Sequence, residues 1–264
     1  MEGKVCLVTG AARGLGYEFC RAFVESGCTS LALLDYKEDI AREAAEELKE
    51  SYRIEGGDLN VDKDALDVLG LGCDVASEES MKQVFGKVVS RFGSINAVVA
   101  SAGICEHYAA LDYPTDRLKR LFDTNVYGAF FTAREAANHM IPSGGGSIVL
   151  VSSMSGTIVN APQPQAPYNA SKAAVKHLAS SLAVEWAKKN VRVNSLSPGY
   201  MRTKMTDTVL EEEDGLVQKW EAMTPIGRLG DPEELSGAVV YLCSDASKFM
   251  TGAEIRVDGG YCLT

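Results

Sequence analysis

The residues that decide the fold are KVCLVTGAARGLG, Lys4 to Gly16. An apolar, β-branched run from Lys4 to Thr9 passes without a spacer into Gly10, Ala11, Ala12, Arg13, Gly14, Leu15 and Gly16, and then into a segment of helical periodicity. Glycines at a strand-to-helix junction let backbone amides and the helix N-terminus approach a phosphate with no Cβ in the way. Three glycines are a weak signal alone, and their spacing is not GxGxxG. Placement strengthens them. Asp35 ends the next apolar run, about 20 residues on, where a dinucleotide-binding sheet of the Rossmann type carries a carboxylate for the ribose hydroxyls.

Working outward, the same alternation runs through the chain. Lys4 to Thr9, Leu31 to Asp35, Leu69 to Asp74, Ile95 to Ala100, Ser147 to Ser152, Val191 to Leu196 and Glu254 to Val257 read as buried strands. Gly14 to Ser26, Lys37 to Ser51, Ser77 to Phe92, Thr115 to His139, Tyr168 to Lys189 and Pro232 to Ser244 read as helices. The pattern predicts an α/β fold: a doubly wound parallel sheet of about seven strands, helices on both faces, in a single domain over residues 1–264. Ligands bind such a sheet at the carboxyl ends of its strands. Ser51 to Leu69 reads as an exposed loop or helix extension without chemistry. Thr203 to Gly230, which includes Trp220 and the acidic run Glu211 to Asp214, reads as a substrate lid at about 200–230 or as a solvated helix pair.

Composition narrows the function. The formal charge of -10 argues against a nucleic-acid partner, which needs clustered Lys and Arg. The apolar runs are too short to span a membrane. Cys6, Cys20, Cys28, Cys73, Cys105, Cys243 and Cys262 lack CxxC spacing and read as free core thiols in a reducing compartment. The first residues enter a strand with no signal-peptide pattern, so the expected location is the cytoplasm.

Tyr168 and Lys172 stand four residues apart, which puts a phenol and an ammonium on one face of a helical turn. A tyrosine with its ordinary pKa of about 10 is a reluctant base near neutrality, and a neighbouring cation favours the phenolate. Such a pair also arises as a solvated helix face, so the rest of the chain decides. Asp35 would accept from a free ribose and repel a 2′-phosphate, which favours NAD over NADP; Arg13 and Lys37 are the countervailing charges. Asp74, just before Val75, is placed to contact the adenine or to cap the helix that starts near Ser77.

Six motifs in order, TGAARGLG (9–16), SAG (101–103), NVYG (125–128), SSMSG (152–156), YNASK (168–172) and SPG (197–199), make the chain resemble the short-chain dehydrogenase/reductase family over its whole length. The resemblance implies that Tyr168 is the general acid/base and that Lys172 lowers its pKa and holds the nicotinamide ribose. It implies that Ser153 hydrogen-bonds the substrate oxygen and that Asn125 holds a water linking the lysine to solvent. Ala102, Gly103, Pro198, Gly199 and Thr203 would line the cofactor. Two departures stand out. Ala100 and Ser101 replace the family's asparagines, and the segment from Ser153 to Tyr168 is longer than usual, so that Ser155 stands nearer the common separation; Ser153 is preferred because it follows the fifth strand directly.

The loop Asn160 to Pro167 is polar for a substrate wall, and with Glu106, His107 and Tyr108 it suggests a polyhydroxylated small molecule. The run from Ser153 to Asn160 with PQPQAPYNASK (162–172) resembles fungal polyol dehydrogenases and ketose reductases, acting on pairs such as mannitol/fructose or arabinitol/ribulose. Ser155, Asn160 and His107 join Ser153 and Tyr168 as candidate substrate contacts. The rivals are a 3-oxoacyl-thioester reductase of the same family and a non-catalytic dinucleotide sensor. The three histidines are too dispersed to imply a metal. The family's C-terminal strand and tail commonly pack between subunits, which leads to the expectation of a homotetramer.

Overall fold

The computed structural model describes residues 1–54, 65–203 and 215–263. Its strands are Val5–Thr9 (β1), Ser30–Asp35 (β2), Asp67–Gly72 (β3), Ala97–Ala100 (β4), Gly146–Val151 (β5), Val191–Pro198 (β6) and Glu254–Val257 (β7). They form one sheet, order β3-β2-β1-β4-β5-β6-β7, with every pairing parallel. The helices are Gly14–Glu25 (α1), Glu38–Ile54 (α2), Glu78–Phe92 (α3), Thr115–Phe122 (α4), Gly128–Met140 (α5), Ala166–Trp186 (α6), Leu216–Met223 (α7) and Ser236–Cys243 (α8). None of the described helices is long and apolar enough to cross a membrane.

Side chains alternate across a strand, and here both faces are covered. Val5 and Leu7 of β1 join a core with residues of α3, α5 and α6, while Cys6 and Val8 join another with residues of α1, α2 and α8. This is why β1 and β4 are buried at every residue. The chain reverses direction across the sheet between β1 and β4, opening the crevice where such folds take their ligand.

Three elements depart from the sequence reading. β3 lies two residues earlier than expected, pairing Ser30 with Asp67 and Asp35 with Gly72. Its cue was blurred by glycines that serve packing: a Cβ on Gly70 would sit 2.3 Å from the Ala41 carbonyl oxygen of α2. The helix expected over Thr115 to His139 is interrupted by a π-turn, Asp123–Tyr127, between α4 and α5. α6 starts at Ala166 with Pro167 in its first turn, where the missing N–H costs no hydrogen bond.

The segment after β6 is pinned at both ends. Met201 bridges Gly230, Gly230 N–H donates to the Tyr200 carbonyl at 3.0 Å, and Arg202 N–H donates to Gly230 at 2.7 Å. Between them Leu216, Trp220 and Leu229 form a small apolar cluster against Tyr200 and Val217. The acidic run Glu211 to Asp214 lies outside the described residues.

Candidate active site

At the carboxyl end of β1 the chain turns on Gly10 (φ 64°) and Gly14 (φ 57°), left-handed values that favour glycine. A Cβ on Gly16 would lie 2.2 Å from the Gly10 carbonyl oxygen, so α1 abuts the turn. Arg13 precedes α1 in an extended conformation without a side-chain cap, and the first turn, which includes Leu15, carries no acid. Its orphan amides and the positive end of the helix dipole suit a pyrophosphate. Asp35 sits beside the turn, accepting from Ala12 N–H at 3.0 Å and Tyr36 N–H at 2.8 Å, and both oxygens keep lone pairs for ribose hydroxyls. Asp74 makes an Asx turn to Ala76 N–H, while Ser77 caps α3; the capping alternative for Asp74 falls away. Val75 is buried against Gly128. Thr9 holds the segment after β4: its hydroxyl oxygen accepts from Ser101 N–H at 3.2 Å and Ala102 N–H at 3.3 Å.

Gly103 stands between the two halves of the site. A Cβ there would be 3.3 Å from Asn125 Oδ1 and 3.4 Å from Lys172 Nζ. Asn125, in the π-turn, clamps the backbone of Ile104: Oδ1 accepts its N–H at 2.8 Å, and Nδ2 donates to its carbonyl at 3.0 Å. Nδ2 also donates to Ser171 Oγ, whose hydroxyl donates to the Tyr168 carbonyl. Asn125 thus ties the segment after β4 to the N-terminal part of α6. Lys172 is 5% exposed and donates to the Val151 carbonyl at 2.9 Å, with Nζ 5.7 Å from the Tyr168 ring centroid.

Ser153, Tyr168 and Lys172 meet at this point, with the Ser153 hydroxyl near enough to the phenol to favour its phenolate. Burial raises the phenol well above its ordinary value, Cys105 adds to the rise, and the Ser153 bond opposes it. Burial also lowers the Lys172 ammonium to about 8, against an opposing effect of Cys105. The expectation that the cation brings the phenol down is therefore corrected. Desolvation outweighs it, and Nζ is committed to the Val151 carbonyl.

Beside this group lies a buried polar wall. Ser155 receives Gln165 Nε2 at 3.3 Å, and Gln165 Nε2 also reaches Asn160 Oδ1 at 3.0 Å and Asn169 Oδ1 at 2.8 Å. Asn160 and Gln163 both donate to the Tyr200 hydroxyl, at 2.8 and 2.6 Å. Tyr200 stacks on Trp220 with centroids 4.0 Å apart. Pro198 is buried at the end of β6, Gly199 packs on Asp258, and Thr203 is half-buried beyond them. His107 is half-buried, while its neighbour Glu106 pairs with Arg117 at 3.0 Å and Tyr108 meets Tyr113 edge-on.

Sequence reasoning missed Gln163, Gln165 and Tyr200 as individual residues, and it placed Cys105 in the core. Cys105 instead lies near both Lys172 and Tyr168, and burial pushes its thiol up to about 12. Its position three residues before Tyr108, just past the Ser101–Gly103 turn, was the available signal.

A glycine turn at an uncapped helix, a ribose-side carboxylate and a Ser, Tyr, Lys and Asn group at adjoining strand ends define a dinucleotide-dependent oxidoreductase. Comparisons agree. The model of the enoyl-(acyl carrier protein) reductase family matches residues 10–262. The chain is 39% identical to the sorbose reductase of Schizosaccharomyces pombe, covering 99% of this chain and 97% of that protein. It is 36% identical to the NADH-dependent L-xylulose reductase of Ambrosiozyma monospora (98% and 95% covered) and 39% identical to the NADP-dependent mannitol dehydrogenase of Aureobasidium melanogenum (99% and 93%). A short-chain type dehydrogenase/reductase from Mycobacterium marinum superposes with a TM-score of 0.89 at 38% identity, covering 100% of this chain and 97% of that one. The protein belongs to the short-chain dehydrogenase/reductase family and is a nicotinamide-dependent oxidoreductase.

Proposed function

We propose that the protein interconverts a polyol and its ketose, with Tyr168 as general acid/base, Ser153 as donor to the reacting oxygen and Lys172 as the holder of the nicotinamide ribose. The observation that carries the substrate class is the polar wall, where Asn160, Gln163 and Gln165 are buried next to Ser153 and Tyr168. The Gln163 Oε1 in this wall is buried without a protein partner among the described residues, and a steroid or acyl chain would leave it unpaired, which is costly. The names of the relatives support the same class.

The residues suit a dinucleotide. Gly10, Gly14 and Gly16 with the α1 amides would take its pyrophosphate, Asp35 a ribose, Asp74 and Val75 the adenine, and Ala102, Gly103, Pro198, Gly199 and Thr203 the nicotinamide side. The nicotinamide, when bound, takes up or gives back the hydride. Tyr168 is a neutral phenol near pH 7, as any tyrosine is, and burial favours that form further, so it is ready to protonate the oxygen of a ketone undergoing reduction. In the oxidising direction it must first lose that proton, and the Ser153 hydrogen bond favours the phenolate. Asn125 keeps Lys172 and Tyr168 in register and borders the route by which the lysine exchanges its proton with water.

NAD is the favoured cofactor, on the strength of the Asp35 carboxylate; the relatives named above include users of each cofactor. The segment at about 200–230 acts as a lid hinged at the Met201–Gly230 bridge. The working form is a cytoplasmic homotetramer; β7 at the sheet edge and the exposed Tyr241 and Phe249 supply faces for a second copy. Reduced-cofactor absorbance tests the whole reading. Mannitol, arabinitol, sorbose, xylulose, steroids and 3-oxoacyl thioesters are each assayed with NAD(H) and NADP(H). Turnover of alditols or ketoses is expected; turnover confined to thioesters or steroids refutes the substrate class.

A further inference from the structure

A serine hydroxyl has one proton and two lone pairs, so what its neighbours donate decides where its own proton points. At Ser153, Ser155 N–H fills one lone pair at 3.1 Å. The two hydroxyl oxygens, Ser153 Oγ and Ser155 Oγ, also lie 3.1 Å apart, and either could donate to the other. The choice is made one residue further out. Gln165 Nε2, 3.3 Å from Ser155 Oγ, is a donor only, and it has the Asn160 and Asn169 carbonyl oxygens on its other sides. The Ser155 proton therefore finds no acceptor toward Gln165 and turns to Ser153.

We propose that Gln165, acting through Ser155, fixes the direction in which Ser153 donates, making both of them positioning residues for the reaction. With both lone pairs of Ser153 filled from Ser155, its proton has one way out, toward the Tyr168 oxygen and the substrate oxygen beside it. Ser153, Ser155, Gln165 and Asn160 are all less than a tenth exposed, so water does not compete for these bonds. A hydroxyl that accepts twice is also a better donor, because hydrogen bonds in a chain polarise one another. The orientation is secured from behind by Asn160, which joins Gln163 on the Tyr200 hydroxyl. This inference rests on the reading of Ser153 as donor to the reacting oxygen.

The test uses the alditol or ketose of the panel above that the unaltered protein turns over fastest. Gln165→Glu keeps the shape and replaces the donor by acceptors, so the Ser155 proton is drawn away from Ser153. Turnover is expected to fall roughly tenfold or more. The pH profile of oxidation should move to higher pH, and cofactor affinity, read by fluorescence titration, should stay the same. Ser155→Ala, which removes the intermediate hydroxyl itself, carries the test if the glutamate variant does not fold. Ser155→Ala should behave like Gln165→Glu, and Ser155→Thr, which keeps the hydroxyl, should restore turnover. In a Ser153→Ala background neither Gln165→Glu nor Ser155→Ala should cost anything more. An equal loss in both backgrounds, or an unchanged rate and pH profile for Gln165→Glu or Ser155→Ala, overturns the proposal. If Ser153→Ala itself keeps near-normal turnover, the reading of the site fails instead.

Discussion

The proposed cofactor end of the site and the proposed substrate end are built from different materials. Around Gly10, Gly14 and Gly16 the working parts are backbone amides, packed so closely at Gly10 and Gly16 that a Cβ would collide with neighbouring backbone. Around Ser153 they are side chains, bonded to partners far away in the chain: Asn125 to Ser171, Asn160 and Gln163 to Tyr200. A backbone site tolerates changes of side chain but no added atom near its turn. A side-chain site tolerates bulk at its rim but no lost donor. Substitutions at the two ends should therefore fail in different ways.

The largest effect is expected at the chemical centre. Tyr168→Phe should lower turnover by about 100- to 10,000-fold while the fluorescence titration with cofactor is nearly unchanged. Near-normal rates in this variant would remove the mechanism. Lys172→Met should weaken both cofactor binding and turnover and yet stabilise the fold near neutrality. The folded chain holds the Lys172 proton less tightly than the unfolded one, about 8 against 10.5, so stability rises with pH between those values. Below that window the cost of the buried charge is present in full, and its removal should raise unfolding stability by on the order of 1–3 kcal/mol, a gain that fades toward pH 10. Denaturant melts of both proteins across pH 6–10 would show the convergence, and a variant less stable at pH 7 would contradict the electrostatic account.

Tyr200→Phe sharpens the contrast from the substrate side. It strands the Asn160 and Gln163 amides and should cost about 1–3 kcal/mol of stability and raise KM for the alditol, with cofactor affinity unaltered. Asp35→Ser is the smallest change expected. By removing the carboxylate it should shift the ratio of kcat/KM for NADP over NAD upward by roughly tenfold, about 1.4 kcal/mol, with the alditol KM untouched. Alteration of the alditol KM by Asp35→Ser, or of cofactor affinity by Tyr200→Phe, would show that the two ends are coupled.

The same contrast explains what the sequence made legible. The glycine turn, Asp35 and the Tyr168–Lys172 pair are local patterns, and each folds where its spacing indicates. Ser153 comes two residues after the end of β5, so its place too could be read. Tyr200 gives no such sign, because its partners are contributed by a loop that only the closed sheet brings near it. Cys105 looked like any core thiol, since nothing local shows that Lys172 will arrive beside it. β3 was misplaced because Gly70 and Gly72, which admit α2 to close contact, dilute the apolar run that marks a strand. The upward shift of the Tyr168 phenol was hidden for a related reason. Spacing reveals a charge nearby but not the water that folding takes away.

The π-turn at Asp123–Tyr127 has a consequence for how this chain can change over generations. It amounts to a helix carrying one surplus residue, and an α-helix rotates by about 100° for each residue. A one-codon deletion there would restore regular pairing and leave a better helix. It would also swing α4 and α5 out of phase with each other and take Asn125 away from Ile104 and Ser171. Local stability and the proposed role of Asn125 thus favour opposite lengths for the same gene segment.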